Sequence, residues 1–366
     1  MHSRLYSLLL LRVVATLLVV FGHASSFFKG FLFTQWPQFV YVQNIAVVLF
    51  FCVSGYTIAW VCDSRRSDSA GRYGAPRFVF DRYMRLAIPL LPVIALTVVA
   101  NVAAFGLADQ PYSENFDLRV ALGNLGFLQR LEIVVPFVGQ VTDIGIEAFS
   151  TNRPLWTLGL EFWLYVLYGT LALRSRGTGA SVATVAIGLL ALALLSESLF
   201  GPGASGLPIV WMLGALLYHG MKRLSGPKVI WSLALLPVWA LVATALFIPV
   251  TWPENGGYSH LYNVLIFANF AFFVLLFPLR GGESRSLDLV VTFFGSFAYT
   301  AYLVHYPVMV ILSAKGILPQ GSERSVIAAA LLGLAVAYLV SLPFEQRYKQ
   351  IRDWVWRTGA DRLAPT

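Results

Sequence analysis

Ten long apolar stretches divide this chain of 366 residues, at about 8–28, 39–62, 86–108, 154–173, 181–200, 204–221, 229–250, 261–279, 289–313 and 325–344. Each has the roughly 17–25 residues that a helix needs to cross a bilayer. A helix satisfies its own backbone groups where no water is present to do so. Charged residues make up 12% of the chain, against about 25% in a typical soluble domain. The pattern predicts an all-α protein: a polytopic membrane helix bundle of about ten transmembrane helices. The loops are short, so residues 1–345 read as one membrane domain and 346–366 as a short basic tail. The stretch 118–138 is partly apolar but carries Arg119, Arg130 and Glu132, and reads as interfacial or re-entrant.

The net charge of +8 follows the positive-inside pattern, which excludes nucleic acid as its explanation. With the first helix starting inside, only Lys29, Arg119, Arg130, Arg153, Lys315 and Arg324 of the 26 lysines and arginines fall in outer segments. Both termini are therefore expected to be cytoplasmic, in a multi-pass protein of the cell (inner or plasma) membrane. Residues 1–26 resemble a cleaved signal peptide, but nine further apolar stretches follow, and the first helix is expected to stay. Cys52 and Cys62 both fall in the second stretch and report no redox compartment. The five histidines form no pair at metal-ligand spacing, so no metal is expected. Neither a phosphate-binding glycine loop nor a dinucleotide fingerprint is present.

Polar residues inside the apolar stretches carry the functional signal. Arg12 and His23 lie eleven residues apart in the first stretch, about three helical turns, and so share a face roughly 16 Å apart. With Arg12 at one membrane surface, His23 falls near the middle of a ~30 Å hydrocarbon core, where an ionisable group is a functional candidate. Arg82 and Arg85, three residues apart before the third stretch, belong at the same surface as Arg12. They either orient the helix by charge or, grouped with Arg12, hold a polyphosphate. In FFCVSGY, Ser54 and Gly55 admit either a neighbouring helix or a thin ligand. The fourth stretch opens at Pro154 and places Glu161 two turns inside, with Tyr165 on its face. A carboxylate at that depth needs a partner, which Arg153 or a backbone group also supplies. Tyr299, Tyr302 and His305 step by three along one face of the ninth stretch, as a functional stripe or as helix-to-helix hydrogen bonds.

Taken together, these residues resemble the acyltransferase 3 family of integral-membrane O-acyltransferases. The matching pieces are R-x10-H at Arg12 and His23, FFxxSGY at 50–56, RxxR at Arg82 and Arg85, WxLxxExxxY from Trp156 to Tyr165, and YxxYLxH from Tyr299 to His305. They fall in the family's order over about residues 10–310. Ala298 stands where the family often has serine, and PFEQRY follows the last stretch where the family often has an acidic residue followed by proline. The hydrolase-like domain that some members append is not expected here. The resemblance implies transfer of an acyl group, usually acetyl, from acyl-CoA to a hydroxyl, commonly on a carbohydrate such as a polysaccharide. It implies acyl-CoA (acetyl-CoA) as donor co-substrate and no tightly bound cofactor. Arg12, Arg82 and Arg85 would hold the CoA phosphates, and Ser54 and Gly55 would line the path of the pantetheine arm. His23 would act as general base, with Glu161 orienting it or binding the acceptor. Trp156, Tyr165, Tyr299, Tyr302 and His305 would serve as substrate contacts or as a structural polar stripe.

Two other classes compete. A secondary transporter exporting a sugar or lipid-linked unit fits ten spans, but the internal repeats and broken helices of such proteins are not evident in the sequence. A glycan-polymerising enzyme is expected to carry an arginine-rich outer loop. Here, 109–153 has three arginines against six acids, a balance suited to sugar hydroxyls.

Overall fold

The computed structural model describes residues 2–31, 41–68, 73–107, 113–134, 141–143, 145–173, 178–196, 206–223, 260–277 and 284–363, with a few isolated positions between. The predicted stretch 229–250 lies outside these residues, apart from a few isolated positions. The chain folds as a helical bundle: α1 (His2–Phe28), α2 (Val42–Asp68), α3 (Ala75–Phe105), α4 (Leu118–Leu125), α5 (Trp156–Ala172), α6 (Thr178–Leu194), α7 (Leu207–Arg223), α8 (His260–Leu276), α9 (Arg285–Gly295), α10 (Ala298–Ala314), α11 (Glu323–Ser341) and α12 (Tyr348–Leu363). Among the described residues, the strands are those of a small antiparallel hairpin, β1 (Glu132–Val134) against β2 (Val141–Asp143), with Ile133 opposite Thr142.

Among the described residues, α1, α2, α3 and α11 are each long and apolar enough to cross a membrane. The predicted ninth stretch is not one straight helix. It is α9 and α10, bent by 61° at Ser296–Phe297. The Ser296 hydroxyl donates back to the Phe293 carbonyl at 2.7 Å, an alternative to continuing the helical ladder. The first turn of α10 is then capped from far away: Glu345 Oε2 accepts from both the Thr300 amide and the Thr300 hydroxyl, each at 2.7 Å. A carboxylate at a helix N-terminus satisfies an amide that has no partner in the helix and complements the helix dipole.

Helix α1 packs against α2, α10 and α11, and α3 lies against α5 and α10. Helices α2 and α7 cross at a glycine on each. A Cβ on Gly55 would lie 1.9 Å from the Trp211 carbonyl oxygen, and one on Gly214 would lie 2.4 Å from that of Cys52. Only glycine lets these backbones meet so closely. The bundle has a basic end, where Arg12, Arg82 and Arg85 lie near α12, and an opposite loop end, to which the described residues of 113–155 contribute. Helix α12 is docked on α3 by the Arg77 guanidinium, which stacks 3.9 Å from the Trp356 ring, and by Asp81 with Arg352 at 3.6 Å.

Among the described residues of 118–138, no helix is long enough to cross a membrane. Helix α4 has eight residues, about 12 Å, and the chain then turns into the hairpin. It is held as a folded cover. Asp117 caps the α4 amide of Val120 at 2.7 Å, and the buried Asn124 side chain donates to the Val120 and Glu147 carbonyls. The cover is tied to the helices below by Asn101 to Ser150 (2.7 Å) and by Asn152 to Thr97 and to the Leu303 carbonyl, both at 3.2 Å.

Candidate active site

Two cavities meet inside the bundle. The basic-end chamber, of about 130 Å³, is lined by Arg12 of α1, Ser54 of α2, Arg82 and Arg85 of α3, Glu161 and Tyr165 of α5, and Tyr299 and Tyr302 of α10. The loop-end chamber, of about 350 Å³, is lined by His23, Gln43, Arg130, Glu147, Arg153, Trp156, Tyr302 and Tyr306, among others. Val47 and Tyr302 belong to both and form the partition between them. The Tyr302 hydroxyl is fixed there. It lies 2.8 Å from Thr157 Oγ1 and donates to the Pro154 carbonyl at 3.1 Å, while Phe50 meets its ring edge-on at 5.6 Å.

The three arginines that the sequence groups do reach one chamber, but in different states. Arg85 is committed: its Nη2 lies 2.8 Å from Glu345 Oε1, and its guanidinium sits 4.6 Å from the Tyr348 ring centre. Among the described residues, Arg12 and Arg82 make no ion pair, and the Arg82 Nε is buried with no hydrogen-bond partner. Two guanidinium groups thus line the same cavity as the carboxylate of Glu161.

Glu161 belongs to this chamber and does not touch His23. Its Oε1 accepts from Ser54 Oγ at 3.0 Å and, in a shorter bond, from the Tyr165 hydroxyl. Ser54 Oγ is also 2.9 Å from the Tyr165 oxygen and accepts from Trp211 Nε1 at 3.2 Å. The expected Arg153 partner is elsewhere, on the wall of the loop-end chamber. The Ser54–Gly55 pair also divides. Ser54 faces the cavity, whereas Gly55 packs on the α7 backbone and is not part of the cavity wall.

His23 lies half-buried on the loop-end side of the partition. Its partner is His305, with Nδ1 of His23 2.9 Å from Nε2 of His305 and the two rings tilted by 26°. Tyr306 meets the His23 ring edge-on at 5.2 Å. The polar stripe is therefore spread along the whole site. Tyr299 lines the basic-end chamber and donates to the Leu86 carbonyl at 3.2 Å, Tyr302 stands in the partition, and His305 backs His23.

Sequence reasoning singles out neither Glu345 nor the pairing of the two histidines. An acidic residue in PFEQRY, just beyond the last apolar stretch, is the signal that points to Glu345. Its burial, at 3% exposure, separates it from an ordinary solvated charge.

A family model described as an acyltransferase domain, that of the acyltransferase 3 family, matches residues 5–345. No curated protein and no solved structure matches the chain.

Proposed function

We propose that this chain, which belongs to the acyltransferase 3 family, moves an acyl group, most simply acetyl, from acyl-CoA to a hydroxyl of a carbohydrate or glycan. The observation that carries this reading is the division of the site. One chamber is lined by Arg12, Arg82 and Arg85, the other by His23 with Arg130, Glu147 and Arg153, and the two touch at Val47 and Tyr302.

In this reading the donor enters from the basic end. Arg12 and Arg82 bind its phosphates through charge-assisted hydrogen bonds, with Arg85 held in the same wall by Glu345. The pantetheine arm runs along the helices, and its amide N–H groups find acceptors in Glu161 and the hydroxyls beside it. The thioester then meets the partition. The acceptor occupies the loop-end chamber, where Trp156 offers an apolar ring face to a sugar and Gln43, Arg130 and Glu147 offer polar atoms. His23 takes the proton of the attacking hydroxyl. The oxygen bonds to the thioester carbonyl carbon, the carbon–sulfur bond breaks, and the departing CoA thiolate receives the proton from the His23 imidazolium. Such a positioned base contributes about 10²–10⁴-fold to the rate.

The membrane frame belongs to the same proposal: about ten crossing helices in the cell membrane, both termini cytoplasmic, and the basic end facing acyl-CoA in the cytoplasm. Its support is the charge asymmetry of the sequence and the grouping of Arg12, Arg82 and Arg85 at one end of the bundle. The test is transfer of labelled acetyl from acetyl-CoA by the purified protein in detergent, with a panel of polysaccharides and oligosaccharides as acceptors. Saturable acetyl-CoA binding and label appearing as an ester are the expected results. Absence of acetyl-CoA binding, together with sugar uptake by proteoliposomes containing the protein, would replace this reading with transport.

A further inference from the structure

We infer that His305 is a positioning residue: together with the backbone of α1 it holds the tautomer and orientation of His23, so that Nε2 of His23 carries the base. The inference rests on the reading of His23 as that base and extends it to a residue outside the acceptor chamber.

His305 is fully buried, and its Nδ1 lies 2.9 Å from the Ala301 carbonyl oxygen one turn earlier in α10. A carbonyl only accepts, so Nδ1 carries the hydrogen. A neutral imidazole has a single N–H, which leaves the His305 Nε2 as a bare lone pair. That lone pair is 2.9 Å from His23 Nδ1. Two bare nitrogens would repel at this distance, so His23 Nδ1 is the donor. The remaining nitrogen of His23, Nε2, then holds the lone pair that can take a proton. When it does, both nitrogens of His23 carry hydrogens, and Nδ1 keeps its acceptor in His305.

The usual orienting group for such a base is a carboxylate or backbone carbonyl, and the Val19 carbonyl, one turn earlier in α1, also accepts from the His23 ring. Here the intramembrane carboxylate is used elsewhere, because Glu161 bonds to Ser54 and Tyr165. A neutral ring does the same work without placing a second charge beside His23. Its own orientation is fixed by the α10 backbone and by α11, where Gly333 lies against the His305 Cα and Cβ. Rotation of His305 would expose Nδ1–H to His23, force the opposite tautomer, and turn the base nitrogen away from its position.

The test uses the intact protein and two kinds of measurement. In His305→Gln the side-chain oxygen reaches the former Nε2 position. In His305→Asn the shorter side chain reaches only the former Nδ1 position, beside Ala301. The expected result is that His305→Gln transfers within about tenfold of wild type, while His305→Asn falls about 10²-fold or more in kcat with both KM values and the melting temperature unchanged. Equal activity of the two variants, or losses that follow melting temperature or KM, would overturn the inference. Nitrogen-15 NMR of ring-labelled wild-type protein decides the point without relying on any variant being active. It should report Nδ1–H for the His23 ring, whose signal is identified by its loss in His23→Asn. An Nε2–H ring there would overturn the role of His305 and leave a base at His23 standing. Equal transfer by wild type and His23→Asn would instead remove the base reading and leave the tautomer result intact.

Discussion

The basic-end and loop-end chambers are built by different means. The first is walled by helices throughout: α1, α2, α3, α5 and α10 supply its lining. The second, more than twice as large, is closed on one side by the folded cover, through Asn115, Arg130, Glu147 and Ser150. A ligand that is the same in every reaction cycle suits the smaller, helix-walled chamber. A ligand that differs among related proteins suits the chamber whose wall is a loop, because loops change without disturbing the bundle. In the proposed function, the helical chamber takes the donor and the loop-bounded chamber takes the acceptor.

The sharpest break in this comparison is expected at Glu345, because its own contacts lie at the basic end. Its carboxylate pairs with Arg85 and caps α10 at Thr300 while almost wholly buried. Removing one partner of a buried ion pair leaves the other charge uncompensated, at a cost of about 3–5 kcal/mol. Glu345→Ala should therefore lower the melting temperature strongly in detergent, and Glu345→Gln should lower it less because the amide oxygen still accepts from Thr300. Unchanged stability in Glu345→Ala would mean that the basic end does not depend on this strut.

A smaller effect, confined to the donor, is expected at Arg12 and Arg82. Neither is engaged in an ion pair among the described residues, so neither should be needed for folding in the way Arg85 is. Each alanine variant removes a charge-assisted contact of about 1.5–3 kcal/mol, which weakens acyl-CoA binding roughly 10- to 100-fold. The KM for the acceptor should stay as it is. Titration with acetyl-CoA and with its 3′-dephospho form separates the two residues by the phosphate each one holds. A shift in acceptor KM with no change in donor affinity would reverse the assignment of the chambers.

How much of this was legible in the sequence depended on whether a relation was local. The spacing of Arg12 and His23 is read from helical geometry, and the structure keeps them on opposite sides of the partition, each facing a chamber. The stripe of Tyr299, Tyr302 and His305 is also local and lies on α10 as its spacing of three requires. What the stripe meets is not local: His305 finds His23 at a separation of 282 residues, and Arg85 finds Glu345 across 260. Glu161 illustrates the same limit. Its depth and its neighbour Tyr165 follow from one helix, but its bond to Ser54 depends on how α2 and α5 pack. The break between α9 and α10 falls just after Gly295, at Ser296–Phe297, within a stretch long enough to cross as one helix, and the bend is stabilised from outside it by Glu345, a contact that is not local.

The central claim is that His23 is the base that activates the acceptor hydroxyl. The direct measurement is single-turnover transfer by His23→Asn after bound acyl-CoA has been confirmed. Asparagine keeps a polar side chain at this position but cannot take up the proton. A fall of about 10²-fold or more at full donor occupancy is the predicted result. A rate within about tenfold of wild type would contradict it, because a general base at this position contributes more than that.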